Sequence, residues 1–89
     1  MKTSICYLIH FNKQFKHARH YLGSTSNLEA RIKTHRQGRG ARLMEVIVAA
    51  GITWRVVRTW PGDRQRERQL KNRGGHARLC PTCQGATYV

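Results

Sequence analysis

Acidic residues are scarce in this chain: four Asp and Glu stand against 17 Lys and Arg in 89 residues, for a formal charge of +13. That excess is far beyond what solubility requires, and its field attracts a polyanion, with nucleic acid the default partner. No run approaches the ~20 apolar residues of a membrane-spanning helix. The short apolar run Ile5 to Ile9 is interrupted by His10 and lacks a small-residue cleavage site, so it does not read as a signal peptide. No segment joins a basic face to a long apolar one, which leaves an anionic membrane surface as the weaker rival. Three cysteines, two of them three positions apart, do not form a secreted disulfide framework, and the expected compartment is the reducing cytoplasm. The length excludes a second independent core.

Twelve of the basic residues are arginines and five are lysines. A planar guanidinium suits bidentate contact with phosphate. The apolar pattern predicts a strand over Thr3 to Phe11, with Cys6, Leu8 and His10 on one side and Ile5, Tyr7, Ile9 and Phe11 on the other. Tyr7 is then half buried, and its hydroxyl needs a partner. A loop from Asn12 to His17 leads to an antiparallel strand from about Ala18 to Gly23, which brings Tyr7 and Tyr21 onto neighbouring strands. Ser26 and Glu29 form a capping box for a helix from about Asn27 to Arg36. Gln37 to Gly40 is a flexible basic break. Leu43, Val46, Ile47 and Ala50 mark a second helix that stops at Gly51. Ile52 to Trp60 reads as a third strand closed by Pro61-Gly62. Asp63 caps a third helix that runs through Glu67 and Lys71, with Leu70 its only clear core residue.

The stretch Tyr21 to His35 organises the rest. Leu28, Ile32 and His35 fall at i, i+4 and i+7, with Arg31 beside them on the same face. An arginine along an apolar stripe costs desolvation unless an anion meets it, and with so few carboxylates that anion is expected from outside. Of the four acidic residues, Glu29 belongs to a cap, Asp63 to a helix start, and Glu45 to a helix edge. Glu67 remains. It either pairs with a neighbouring cation on the surface or holds Mg²⁺ or Mn²⁺ with waters and phosphate. The lack of apolar residues in its helix favours the metal.

Ile5-Cys6-Tyr7, then Tyr21-Leu22-Gly23, then Asn27-Leu28 with Arg31 and His35, and finally Glu67 on a helix after a strand resemble the GIY-YIG nuclease signature. The resemblance spans about Thr3 to Lys71. It departs at Ile5 and Cys6, where the first motif usually reads Gly-Ile, and at Leu22, where Ile is usual; no catalytic side chain is lost. It implies a small α/β domain, a three-stranded and mainly antiparallel sheet flanked by three helices, over residues 1–72, followed by a basic tail over 73–89. It also implies a metal-dependent endonuclease acting on DNA, with RNA possible as substrate. In that reading Tyr7 takes the proton of the attacking water, its pKa lowered by the metal and Arg31, and Tyr21 supports the phosphate or the water network. Arg31 holds the scissile phosphate, and Glu67 holds the cation. His35 either relays a proton or makes an ordinary hydrogen bond.

In the tail, His76, Cys80 and Cys83 have a spacing compatible with zinc but one ligand short of four, with Cys6, a partner or water to complete it. The rivals to a nuclease are a non-catalytic nucleic-acid binder on the same scaffold and a zinc-stabilised accessory protein.

Overall fold

The computed structural model describes residues 4–16, 18–72 and 80. Its centre is β1 (Ile5–Phe15), with β2 (Ala18–Thr25) and β3 (Trp54–Pro61) antiparallel on either side in the order β2-β1-β3. Helices α1 (Leu28–Arg36), α2 (Arg42–Ala49) and α3 (Arg64–Lys71) complete the expected α/β domain. Among the described residues, no helix is long and apolar enough to cross a membrane.

β1 is paired along both edges and packed on both faces, so every residue from Cys6 to Phe11 is buried. The alternation of side chains divides the core in two. Cys6 and Leu8 pack with Leu22, Trp60, Leu70 and Cys80, while Tyr7, Ile9 and Phe11 pack with Met44 and Ile47. Leu70 is the one buried residue of α3, and burying a leucine contributes about 1.5–3 kcal/mol, which docks this otherwise polar helix.

Three local expectations are corrected. β1 continues through Asn12 to Phe15 instead of yielding to a loop at Asn12, because Phe15 pairs with Ala18 and the Asn12 amide donates to the Thr53 carbonyl at 2.9 Å. Polar side chains there remain exposed while the backbone keeps its partners. The cap of α1 is Asn27, not Ser26: Asn27 Oδ1 accepts from the Ala30 amide at 3.0 Å, and the Asn27 amide is held by Thr25 Oγ1 at 3.1 Å. β3 begins at Trp54 instead of Ile52, since the Ile52 amide closes α2 on the Ile47 carbonyl at 3.1 Å. It extends to Pro61, which an edge strand tolerates. Asp63 caps α3 as expected, its Oδ1 accepting from the Gln65 amide at 2.9 Å. Gly51 takes the expected left-handed turn after α2, with φ of 74°.

Candidate active site

Tyr7 lies at the middle of the sheet opposite Gly23 of β2. It is completely buried rather than half buried. Its ring crosses directly over Gly23, where an added Cβ would stand 2.7 Å from Tyr7 Oη, 2.8 Å from Cζ and 2.9 Å from Tyr21 Cε2. Glycine is therefore the residue that lets the tyrosine hydroxyl reach across β2 toward α1. The sequence marks Gly23 as the end of a strand and the last residue of the Tyr21-Leu22-Gly23 motif; the strand instead runs on to Thr25, and the reason for the glycine is this close approach.

There the hydroxyl meets His35, with Tyr7 Oη and His35 Nε2 2.8 Å apart. His35 is fully buried on the inner face of α1, and its Nδ1 lies 3.1 Å from the Arg39 carbonyl oxygen. A carbonyl only accepts, so Nδ1 carries the proton, and in the neutral ring Nε2 is the acceptor for the Tyr7 O–H. Burial and the nearby Arg31 push the His35 pKa below its ordinary value, with the Arg39 carbonyl opposing them in part. The neutral tautomer is thus the one the fold maintains. The Gln37 to Gly40 break has a structural task here. Gly40 has φ of 91°, and a Cβ on it would press on His35 Cε1 and Nδ1 at 3.2 Å. This loop, read in the sequence only as flexible and basic, presents the carbonyl that fixes the histidine tautomer.

Tyr21 and Arg31 complete the group. The Tyr21 ring is 6.1 Å from that of Tyr7 and 5.5 Å, edge-on, from that of His35. Burial, first, and Tyr21, second, raise the Tyr7 pKa well above the usual phenol value, while Arg31 pulls it down. Arg31 thus acts in the expected direction, but in the protein alone burial outweighs it. Arg31 itself is half-buried and near enough to the Tyr7 hydroxyl to act on its pKa. The sequence groups Tyr7, Tyr21, Arg31 and His35, and the structure brings these four together.

Residues 3–78 match the GIY-YIG catalytic domain. The chain belongs to this family. Comparison with curated proteins and with solved structures gave no match. GIY-YIG domains are generally endonucleases, typically dependent on a divalent metal, and their substrate is nucleic acid.

Glu67, the residue that the sequence resemblance assigned to the metal, comes from α3, which docks through Leu70 on the Cys6 side of the sheet. Its side chain is 17% exposed, and Oε2 pairs with Lys71 Nζ at 2.8 Å. Glu67 also bears on Cys6, the residue next to Tyr7. The Cys6 thiol is pushed up by burial first and by Glu67 second, with Sγ 3.4 Å from the Asp63 carbonyl. Cys6 and Tyr7 face opposite sides of β1, so Glu67 lies on the other face of the sheet from the Tyr7, Tyr21, Arg31 and His35 group, and the structure does not bring it together with those four. Glu67 is thus partly enclosed and engaged in an i,i+4 ion pair, the surface-partner reading that the sequence also offered.

Of the tail residues, Cys80 is fully buried and sits beside His10, with Sγ 3.5 Å from Nδ1. His76 and Cys83 lie outside the described residues. Cys6, offered by the sequence as a completing zinc ligand, instead points its thiol at the Gly62 and Asp63 carbonyls.

Proposed function

We propose that this GIY-YIG domain is a metal-dependent endonuclease that hydrolyses DNA phosphodiester bonds, with Tyr7 and His35 as its proton-transfer pair. The observation that carries this reading is the 2.8 Å contact from the Tyr7 hydroxyl to a neutral His35 whose other nitrogen is committed to the Arg39 carbonyl. A packing tyrosine needs only some hydrogen-bond partner. Here the partner is a base held in its accepting tautomer, so the hydroxyl gives its proton to His35 as it takes one from the attacking water. His35 is thereby a relay rather than an ordinary helix-face histidine.

Arg31, beside the hydroxyl and open to solvent, receives the scissile phosphate and stabilises the charge that grows on it. Tyr21 packs against both members of the pair and holds them in register, and its own polar end supports the water network. Glu67 fits the metal role. Its carboxylate is a hard-oxygen donor that would hold Mg²⁺ or Mn²⁺ together with waters and phosphate, exchanging its pair with Lys71 for the cation. When bound, the cation neutralises phosphate charge and polarises the water. The +13 charge supplies affinity for the backbone of the substrate.

The test is incubation of the purified protein with single-stranded and duplex DNA, and with RNA, in Mg²⁺, Mn²⁺ or EDTA. DNA cleavage that requires the cation supports the reading. Preferential cleavage of RNA reassigns the substrate, and tight binding without cleavage under any condition makes the domain a non-catalytic binder.

A further inference from the structure

A second group of convergent side chains lies on the opposite face of β1 from the Tyr7 hydroxyl. His10 and His20 are directly paired across β1 and β2, so both rings project from the same face of the hairpin. Cys80 comes from far along the chain to join them, and all three residues are buried. One ligand atom from each lies within 4.8 Å of the other two.

We propose that His10, His20 and Cys80 bind a structural Zn²⁺ ion. The proposal is independent of the nuclease reading. Its main support is the spacing of the donor atoms. Nitrogen and sulfur at ordinary zinc distances of about 2.05 Å and 2.3 Å, set at tetrahedral angles, stand about 3.3 Å (N to N) and about 3.6 Å (N to S) apart. The separations here are 3.3 Å between His10 Nδ1 and His20 Nε2 and 3.5 Å between Cys80 Sγ and His10 Nδ1. Two imidazoles and a thiol form a ligand set suited to zinc and unsuited to Mg²⁺, so this site and Glu67 take different metals.

The chemistry of burial supports the same assignment. All three donors are buried, Cys80 within the cluster of Cys6, Leu8, Leu22, Trp60 and Leu70, so a cation held by them would be shielded from water. The arrangement revises the zinc expectation from the sequence. Cys80 is retained as a ligand, and its partners are a cross-strand histidine pair 60 or more residues earlier. Such an ion clips the end of the chain onto the β1-β2 hairpin, and its binding energy becomes folding energy.

The experiment is elemental analysis of full-length protein purified without added metal or chelator, paired with Co²⁺ substitution of the wild type. Zinc near one ion per chain is expected, together with a tetrahedral cobalt spectrum carrying thiolate-to-cobalt charge transfer. Stripping the metal lowers Tm, and returning zinc restores it. His20→Ala and Cys80→Ser each lower zinc severalfold, whereas Cys6→Ser keeps it. Should those two variants fail to fold, the cobalt spectrum and chelator-dependent melting of the wild type still decide. Protein free of zinc, with no thiolate–cobalt band and a Tm indifferent to chelator, overturns the site; so does zinc retained in folded His20→Ala and Cys80→Ser.

Discussion

Tyr7 Oη and His35 Nε2 stand 2.8 Å apart in the core, and the chain spends two glycines, Gly23 and Gly40, on making room for that pair. The Tyr7 ring crosses one strand over Gly23, and the loop that fixes the His35 tautomer passes over the imidazole at Gly40. The expected properties of the domain follow from this packing.

Tyr7→Phe removes the hydroxyl and leaves His35 Nε2 buried without its donor, so stability should fall by about 1–3 kcal/mol. Cleavage should fall much further, by about 10²-fold or more, as expected when a proton-transfer group is lost. DNA binding should hardly change, because Tyr7 is fully buried. Cleavage near the wild-type rate in a folded Tyr7→Phe protein would remove Tyr7 from the mechanism. Melting, bound fraction and single-turnover rate measured together separate these effects.

Gly23→Ala places a methyl group 2.7 Å from Tyr7 Oη, in a core with no slack. Overpacking of this kind costs about 1–3 kcal/mol, and here the ring that must move carries the proposed catalytic hydroxyl. Loss of rate is therefore expected even at temperatures where the variant is fully folded. A Gly23→Ala protein with wild-type Tm and rate would show that the close approach has no consequence.

Glu67→Ala and Arg31→Ala should fail in different ways. Removing Glu67 deletes one of only four negative charges, so affinity for DNA should be kept or improved while cleavage disappears. Arg31→Ala loses a phosphate contact as well as transition-state stabilisation, and both binding and rate should drop. The measurement is bound fraction and cleavage rate at fixed salt and Mg²⁺. An active Glu67→Ala enzyme would return Glu67 to the role of ion-pair partner for Lys71.

Acid should destabilise the fold through His35. Its folded pKa is lowered by burial and Arg31, so below the unfolded value of about 6.5 the unfolded chain binds more protons than the folded one. Stability is full above that pH and falls as pH decreases, levelling once the folded histidine also protonates. Cleavage should decline in the same direction, since a protonated His35 no longer accepts from Tyr7. Tm between about pH 5 and 8 for the wild type and His35→Asn checks the assignment; an acid limb identical in both rules out a contribution from His35.

Binding should weaken steeply with salt, with a log–log slope of roughly −0.9 per phosphate neutralised on duplex DNA. A slope near zero in a salt titration would mean that the +13 charge does not carry the affinity.

The two-sided alternation of β1, the Asp63 cap, and the placing of Tyr7 with Tyr21 and of Arg31 with His35 were legible in the sequence, each in local terms: a period of two, a capping side chain, or a helix repeat that puts Arg31 and His35 one turn apart. That the two pairs belong to one site, within a small α/β domain, came from the motif resemblance. Even so, the local signals erred where two of them competed. Ser26 and Asn27 both suit a cap, and Asn27 holds the position because Thr25 secures its amide. Asn12 to Phe15 reads as loop by composition, yet it is strand because its backbone finds partners on both sides.

Only the tertiary structure decided which nitrogen of His35 faces Tyr7, because that depends on a carbonyl four residues beyond it in a loop with no periodicity. It also decided that Gly23 lies under an aromatic ring and that Cys80 meets His10 and His20. No local pattern encodes such contacts between distant residues. They arise when a central strand buries both its faces, so that each side chain along it must be met by whatever the rest of the chain brings there.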